Sequence, residues 1–469
     1  MSSAHGITPA LLEQTLSATR VDAQDGTLPE VFHSLSSDTR SLQPGALFVA
    51  LSGPNHDANL YVQQAVTAGA SGILCSRPPA QSLPIPLWVV TDPLAAMTQL
   101  ARAWRAHLSA KTIGITGSSG KTTVKEMLGL IVSSRYRTGI TRGNLNNHIG
   151  LPLTLLNCPS DRTHLVLEMG MSAPGEIAHL AELAQPQIGI VTNILAAHVA
   201  GFGGGNLVSA LRGIAHAKGE LLQALPHDGL AVLPAIDPHL ALLQSLTGCA
   251  ILSFGPQSSG ADVVFTPPSY GDDGMLSTLI LPNGERFALN LPGFGPHLWL
   301  NAVAACAAAY GLGLDAAAMQ EGLSRFKLQK GRGSVEHGQV GCRILNDTYN
   351  ANVGAMRVAL EALSHMAPAP QRIAVLGDML ELGEAADTLH AELAQTILAL
   401  GIQRIFLAGP HMAALYQALQ SSPGLQLFHY ADPVALAKDL SHYVGHGDAV
   451  LVKGSRGMRM ERVVEALHS

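Results

Sequence analysis

At 469 residues the chain is too long for one compact core, so two or three domains are expected. Hydrophobic residues make up 47 % and charged residues only 13 %, which excludes wholesale disorder. A net charge of −6, a pI near 6.4 and the lack of any long basic run argue against a nucleic-acid partner.

The mean hydropathy is positive, at +0.23, which raises the question of a membrane span. The most apolar stretch, 298–319, contains Asn301, Gly311, Gly313 and Asp315 and repeats at a helical period. It is not a uniform run of about 20 apolar residues. The opening MSSAHGITPALLEQ has no basic region before a long apolar run, so no secretory signal is expected. A cytoplasmic chain without stable membrane insertion is the reading that survives. Cys75, Cys158, Cys249, Cys306 and Cys342 are scattered, odd in number and without a C-x-x-C pair. They predict ordinary apolar or surface thiols, with neither a disulfide framework nor a zinc site.

In chain order, residues 1–108 hold short strand candidates, ALFVAL (46–51) and LWVV (87–90). Between them YVQQAVTAGA predicts a helix that ends at a glycine, and RPPAQSLPIP a loop. Residues 109–327 alternate strand and helix signals: TIGIT (112–116), LVLE (165–168), IGIV (188–191) and LAVL (230–233). Apolar runs without strict alternation suit strands buried on both faces of a parallel sheet. Residues 251–292 read as a β-rich insertion, and helices from 297 to 325 close the block. Residues 328–469 carry strands near CRILND, RIAVLGD, RIFLAG and AVLVKG, a smaller, Rossmann-like α/β unit. The fold class is therefore α/β in three domains, the central one built on a mostly parallel sheet.

The strongest local signal is TIGITGSSGKTTVKEMLGLIV. A strand runs into Gly117, Ser118, Ser119 and Gly120, then Lys121, Thr122 and Thr123, and apolar residues follow at helical spacing. Glycines let backbone N–H groups curl toward an anion, and a helix N-terminus adds a favourable dipole. Lys121 is then placed to reach outer phosphates and Thr122 to bind Mg²⁺. The first glycine of the longer phosphate-loop string is absent, since that position falls on Ile115; a chance glycine-rich turn is the bland alternative. Switches, transporter motors, kinases and ligases all carry such a loop.

Glu168 ends an apolar strand, where an open α/β sheet presents ligand-binding groups. It reads as a Mg²⁺ ligand or, more plainly, as a helix N-cap or solvated strand end. His198, in TNILAAHVAGFGGG, is by itself more often structural, and Mg²⁺ prefers oxygen to imidazole. Lys218, in GIAHAKGELL, would ordinarily be a solvated helical lysine.

Taken together, these segments resemble the Mur ligases, which build the peptide of bacterial peptidoglycan. The likeness runs in order through SDTRSLQPGALFVALSGPNHDANLY, GITGSSGKTT, GNLNNHIGLPLTLL, EMGMSAPGEI, AAHVAGFG, AHAKGE, GPHLWLNAVAA, GRGSVE, NDTYNANV, VLGDMLELGE and VLVKGSRGMRME. NDTYNAN and LGDMLELGE are similar to the branch that adds D-alanyl-D-alanine to UDP-N-acetylmuramoyl-tripeptide, and the D-N-P-R string of another branch is absent. Two departures stand out. Val353 replaces the usual proline after N-A-N, which predicts a looser loop with no chemical group lost, and His148 stands where acids or amides are common.

The resemblance implies an ATP-dependent ligase that works through an acyl phosphate, with Mg²⁺ at two sites. Lys121, Glu168, His198 and Lys218 are its expected catalytic group. Thr122 and Glu168 resemble Mg²⁺ contacts, and His198 a ligand of the second metal. Lys218 resembles the lysine that several relatives carry as a carbamate. Asn301 resembles an adenine contact, and Arg332 and Asp347 resemble residues that bracket the nucleotide. Ser37, Thr39 and Arg40 look like part of a UDP site in the 1–108 unit. Asn144, Asn147, Asn350, Lys453, Ser455 and Arg456 are the remaining expected substrate contacts, the last three toward the dipeptide in 328–469. A monomer is the expected state.

Overall fold

The computed structural model describes residues 6–23, 27–54, 56–196, 202, 207–271, 274–366 and 369–468. Three larger sheets carry the molecule. The first is ordered Thr19–Val21, Leu87–Val89, Gly72–Cys75, Ala46–Val49, Ser34–Ser36, and only the Thr19–Val21 edge is antiparallel. Ala46–Val49 and Gly72–Cys75 are buried at every position, as strands covered on both faces must be.

In the central sheet, Thr138–Ile140, His164–Glu168, Lys111–Thr116, Ile188–Val191, Leu230–Pro234, Ala250–Pro256 and Val263–Phe265 follow one another in parallel. Gly274–Ile280 then joins antiparallel, paired with Arg286–Pro292 and Ser269–Tyr270. Residues 251–292 are β-rich, as expected from the sequence, and form the outer half of this same sheet. The period-2 signal there has a physical source: Arg286–Pro292 alternates exposed and buried, with one face in water. Helices Pro296–Gly311 and Ala316–Ser324 pack on the phosphate-loop helix Lys121–Ser133. The approach at Gly322 is close, since a Cβ there would lie 2.4 Å from Ile131 Cα.

The third sheet is ordered Ser334–His337, Arg343–Asp347, Ala449–Lys453, Arg372–Gly377, Arg404–Ala408, Gln426–Tyr430, parallel except at its first pair. Ser334–His337 and Gln426–Tyr430 are edge strands that carry only partly buried or exposed residues, so no apolar run marks them in the sequence. Val353 is buried at the first position of the helix Val353–His365. Asn352 caps that helix by accepting from Ala355 N–H at 2.8 Å. All five cysteines are free thiols, four of them buried. Among the described residues no helix is long and apolar enough to cross a membrane.

The first and second units share one apolar core, which runs from Phe32 and Trp88 through Leu100 and Trp104 to Leu151 and Leu167. Arg105, on the helix Pro93–His107, seals the seam. It is 5 % exposed and donates to Ala184 O, Leu108 O, Ala110 O and Thr112 Oγ1 at 2.9–3.3 Å. Replacing Arg105 with methionine would strand several buried acceptors, each costing about 1–3 kcal/mol. Urea unfolding should therefore show a loss of about 3 kcal/mol or more; a loss below about 1 kcal/mol would contradict this role for Arg105.

Candidate functional site

Strand register assembles the site. Lys111–Thr116 lies between His164–Glu168 and Ile188–Val191, with Glu168 opposite Ile115 and Val191 opposite Thr116. All three carboxyl ends therefore reach one edge, where an open parallel sheet binds ligands. The chain turns there through Gly117 (φ 144°) and Gly120 (φ 83°) into the helix Lys121–Ser133. Glycine is required at both. A Cβ on Gly117 would sit 1.9 Å from Thr192 Oγ1, and one on Gly120 would sit 2.3 Å from Asn301 Oδ1. Asn193 holds the loop from the neighbouring strand end, its Oδ1 accepting from Ser119 N–H at 2.9 Å.

Lys121 Nζ folds back to donate to Gly117 O at 2.7 Å. Desolvation lowers its pKa, opposed by Glu168 and reinforced by Arg332. Glu168 is 2 % exposed. Its Oε1 accepts from Thr122 Oγ1 at 3.2 Å and from Asn146 Nδ2 at 2.8 Å, while Oε2 is buried without a hydrogen-bond partner. A buried carboxylate oxygen left open beside a hydroxyl suits a hard divalent cation. Among the described residues no three His, Cys, Asp or Glu cluster as a metal cage.

Across the cleft, the parallel register sets Asp347 opposite Lys453. Lys453 Nζ donates to Asp347 Oδ2 at 2.6 Å and to Asn350 O at 2.9 Å, and Lys453 is 2 % exposed. Arg332 lies over the Tyr349 ring, 3.7 Å from its centroid. His297, at the start of the helix Pro296–Gly311, has its pKa lowered to about 4 by burial, with Asp347 opposing and Lys453 adding to the shift.

A cavity of about 810 Å³ joins these groups. Of the residues expected from sequence, Ser118, Ser119, Gly120, Lys121, Thr122, Thr123, Asn144, Asn147, Glu168, Asn301, Arg332, Asp347, Asn350 and Lys453 line it. Gly117 contributes its carbonyl to Lys121. Lys218 lies on the helix Leu207–Gln223, 2 % exposed, with its pKa pushed well below the ordinary lysine value by burial and then by Lys121. Glu220 of the same helix fixes that placement by accepting from Gly175 and Ala178 N–H at 2.7 and 2.9 Å. Ser455 is buried behind the wall, donating to Ala351 O, and Arg456 is exposed at the rim, 5.9 Å from the Tyr349 centroid. Ser37, Thr39 and Arg40 lie off this cavity, after the strand Ser34–Ser36. Arg40 there grips Asp38 through two nitrogens and lowers its pKa to about 2. His198 lies outside the described residues.

Sequence reasoning missed Asn146, Asn193, His297 and Tyr349, which also line the cavity. Asn146, His297 and Tyr349 sit inside segments already singled out, NLNN, GPHLW and NDTYN, so the signal was one of position rather than residue type.

Residues 115–309 match the Mur ligase middle domain, and residues 331–456 match the Mur ligase glutamate ligase domain. The UDP-N-acetylmuramoyl-tripeptide–D-alanyl-D-alanine ligase of Escherichia coli (strain K12) is 37 % identical over 437 residues, covering 92 % of this chain and 93 % of that one. The Bacillus subtilis (strain 168) ligase of the same name is 35 % identical, covering 93 % of each. A crystal structure of MurF from Acinetobacter baumannii superposes with a TM-score of 0.86 at 31 % identity over 98 % of both chains. MurF from Thermotoga maritima in complex with ADP superposes at 0.79 and 29 % identity, covering 93 % of this chain and 97 % of that one. With two domain matches and these relatives over nearly its whole length, the chain belongs to the Mur ligase family.

Proposed function

We propose that the chain joins D-alanyl-D-alanine to UDP-N-acetylmuramoyl-tripeptide, with ATP converted to ADP and phosphate. The names of the relatives supply the substrates. The observation that carries the reading is one cavity that unites a phosphate loop, an open carboxylate oxygen on Glu168 and the Asp347–Lys453 pair of the opposite unit. In this reading 109–327 binds ATP, 1–108 binds UDP through Ser37, Thr39 and Arg40, and 328–469 receives the dipeptide near Lys453 and Arg456.

The substrate carboxylate takes the γ-phosphoryl group of ATP, and the dipeptide amine then displaces phosphate and loses a proton. Lys121 and the backbone N–H groups of Gly120 and Lys121 offset charge spreading over the transferred group. Thr122 and Glu168 would hold Mg²⁺, which would supply further neutralisation of the phosphates. Asn301 sets the adenine, and Arg332 and Asp347 close on the nucleotide from the far side. Lys218 fits a carbamate role: a buried amine with a depressed pKa is neutral more of the time, and the neutral amine is the form that adds CO₂. A carbamate there would offer oxygen donors to a second cation.

Phosphate release should require ATP, the muropeptide and the dipeptide together, and a panel of lysine and diaminopimelate muropeptides sets the preference at the third residue. Equal release without the co-substrates would make the chain a hydrolase. Lys121→Ala should keep its fold by circular dichroism and lose on the order of 10²–10³ in turnover. A folded variant with near-normal turnover removes Lys121 from the chemistry.

Lys218→Ala should be nearly inactive, with part of the rate restored by short carboxylic acids and none by small amines. Rescue by amines alone would give Lys218 a cationic role instead.

A further inference from the structure

The string LGDMLELGE, residues 376–384, lines no part of the reaction cavity, yet its backbone is held by side chains from elsewhere. It leaves the carboxyl end of the strand Arg372–Gly377, beside Ala449–Lys453. Met379 N–H donates to His390 Nε2 at 2.9 Å, and Leu380 N–H donates to Ser455 Oγ at 2.9 Å. Ser455 N–H in turn donates to Asp378 O at 3.0 Å. Glu381 then takes a left-handed φ of 63°, a conformation unfavourable for a residue with a side chain.

The pinned loop bears on the cavity wall. Ser455 Oγ donates to Ala351 O, and Ala351 lines the cavity with Asn350 and Lys453. Leu380 packs under the turn that carries Arg456, so closely that a Cβ on Gly457 would lie 2.8 Å from Leu380 Cδ1. One chain of contacts therefore runs from His390 through Met379 and Leu380 to Ser455 and Arg456.

His390 is fully buried on the helix Ala386–Ala391. Its Nδ1–H donates to Ala386 O at 2.6 Å, which leaves Nε2 as the acceptor for Met379 and defines a neutral imidazole. The charged and titratable neighbours are Asp378, with Oδ1 4.0 Å from Nε2, and His411, stacked at 5.7 Å and paired with Asp387 at 2.8 Å. The Asp378 carboxylate is occupied by the N–H groups of His411 and Met412. Burial lowers the His390 pKa, in keeping with its neutral form. An apolar side chain would fill the same core space, so the imidazole is distinguished by its lone pair toward Met379.

We propose that His390 is a positioning residue for the amine substrate: by accepting the Met379 N–H it fixes the 378–382 loop, and through that loop sets Ser455 and Arg456 at the C-terminal wall of the cavity. The proposal rests on the reading that the dipeptide is received there.

The test compares full-length wild type with His390→Leu, His390→Asn and His390→Gln. Dipeptide and ATP are each varied with the other substrates saturating, and melting temperature is recorded. In the leucine variant the dipeptide KM should rise tenfold or more while the ATP KM changes less than twofold. The asparagine side chain is too short to reach Met379 and carries the same expectation should the leucine variant not fold. The glutamine variant, which presents an acceptor oxygen near the Nε2 position, should recover most of the dipeptide affinity. A folded leucine or asparagine variant that melts lower but keeps its dipeptide KM, or raises both KM values alike, overturns the proposal and leaves His390 a stability residue. A wild type that does not consume the dipeptide removes the underlying reading, and the proposal with it; a ligating wild type with an unaltered variant removes the proposal alone.

Discussion

A triphosphate and a carboxylate repel one another, and a cleft that brings them within bonding distance has to supply compensating positive charge. Basic side chains that line the cavity here come from parts of the chain far apart in sequence: Lys121 on the phosphate loop, Arg332 in the link between units, and Lys453 near the C-terminus. Cations held this close oppose one another's protonation. Lys218 is depressed first by burial and then by Lys121, and Lys121 in turn by burial and Arg332, against the pull of Glu168. Lys453 is held by direct pairing with Asp347 instead. The arrangement suits an anionic reactant pair better than a neutral one.

Such a cleft also has to exclude water, because an acyl phosphate hydrolyses. The first two units share a continuous core and are sealed by Arg105, so they present one rigid wall. The third unit supplies the opposite wall through Asp347, Asn350 and Lys453. The link between them carries Gly331 and Gly333 at positive φ on either side of Arg332, and Gln329 donates to Glu126 of the phosphate-loop helix at 3.0 Å. Arg332 is therefore both part of the joint and part of the cavity.

Much of this was legible in the residues. The phosphate loop was readable because glycine, lysine and threonine there are fixed by local backbone geometry, and the buried parallel strands because burial on both faces leaves an unbroken apolar run. The edge strands Ser334–His337 and Gln426–Tyr430 carry no such run, and so gave no signal. The 251–292 segment signalled strands but not their sheet, since alternation reports a solvated face and not the partner on the edge. Asn146 was passed over between Asn144 and Asn147 because only the fold shows which of the three side chains turns toward Glu168.

Ser455 and His390 mark the boundary most sharply. A serine beside Lys453 reads as a substrate contact, yet its hydroxyl is engaged with Leu380 and Ala351, and its neighbour Arg456 stands at the rim. The sequence by itself determined the chemistry on offer: a phosphate loop, a carboxylate at a strand end, and three α/β units, because these follow from residue type, period and backbone preference over short spans. The tertiary structure alone decided which groups meet. Strand register put Glu168 beside Thr122 and Asp347 against Lys453, and packing turned His390 into the acceptor of a loop eleven residues away, because pairings between distant segments depend on how sheets and helices stack and not on any local pattern.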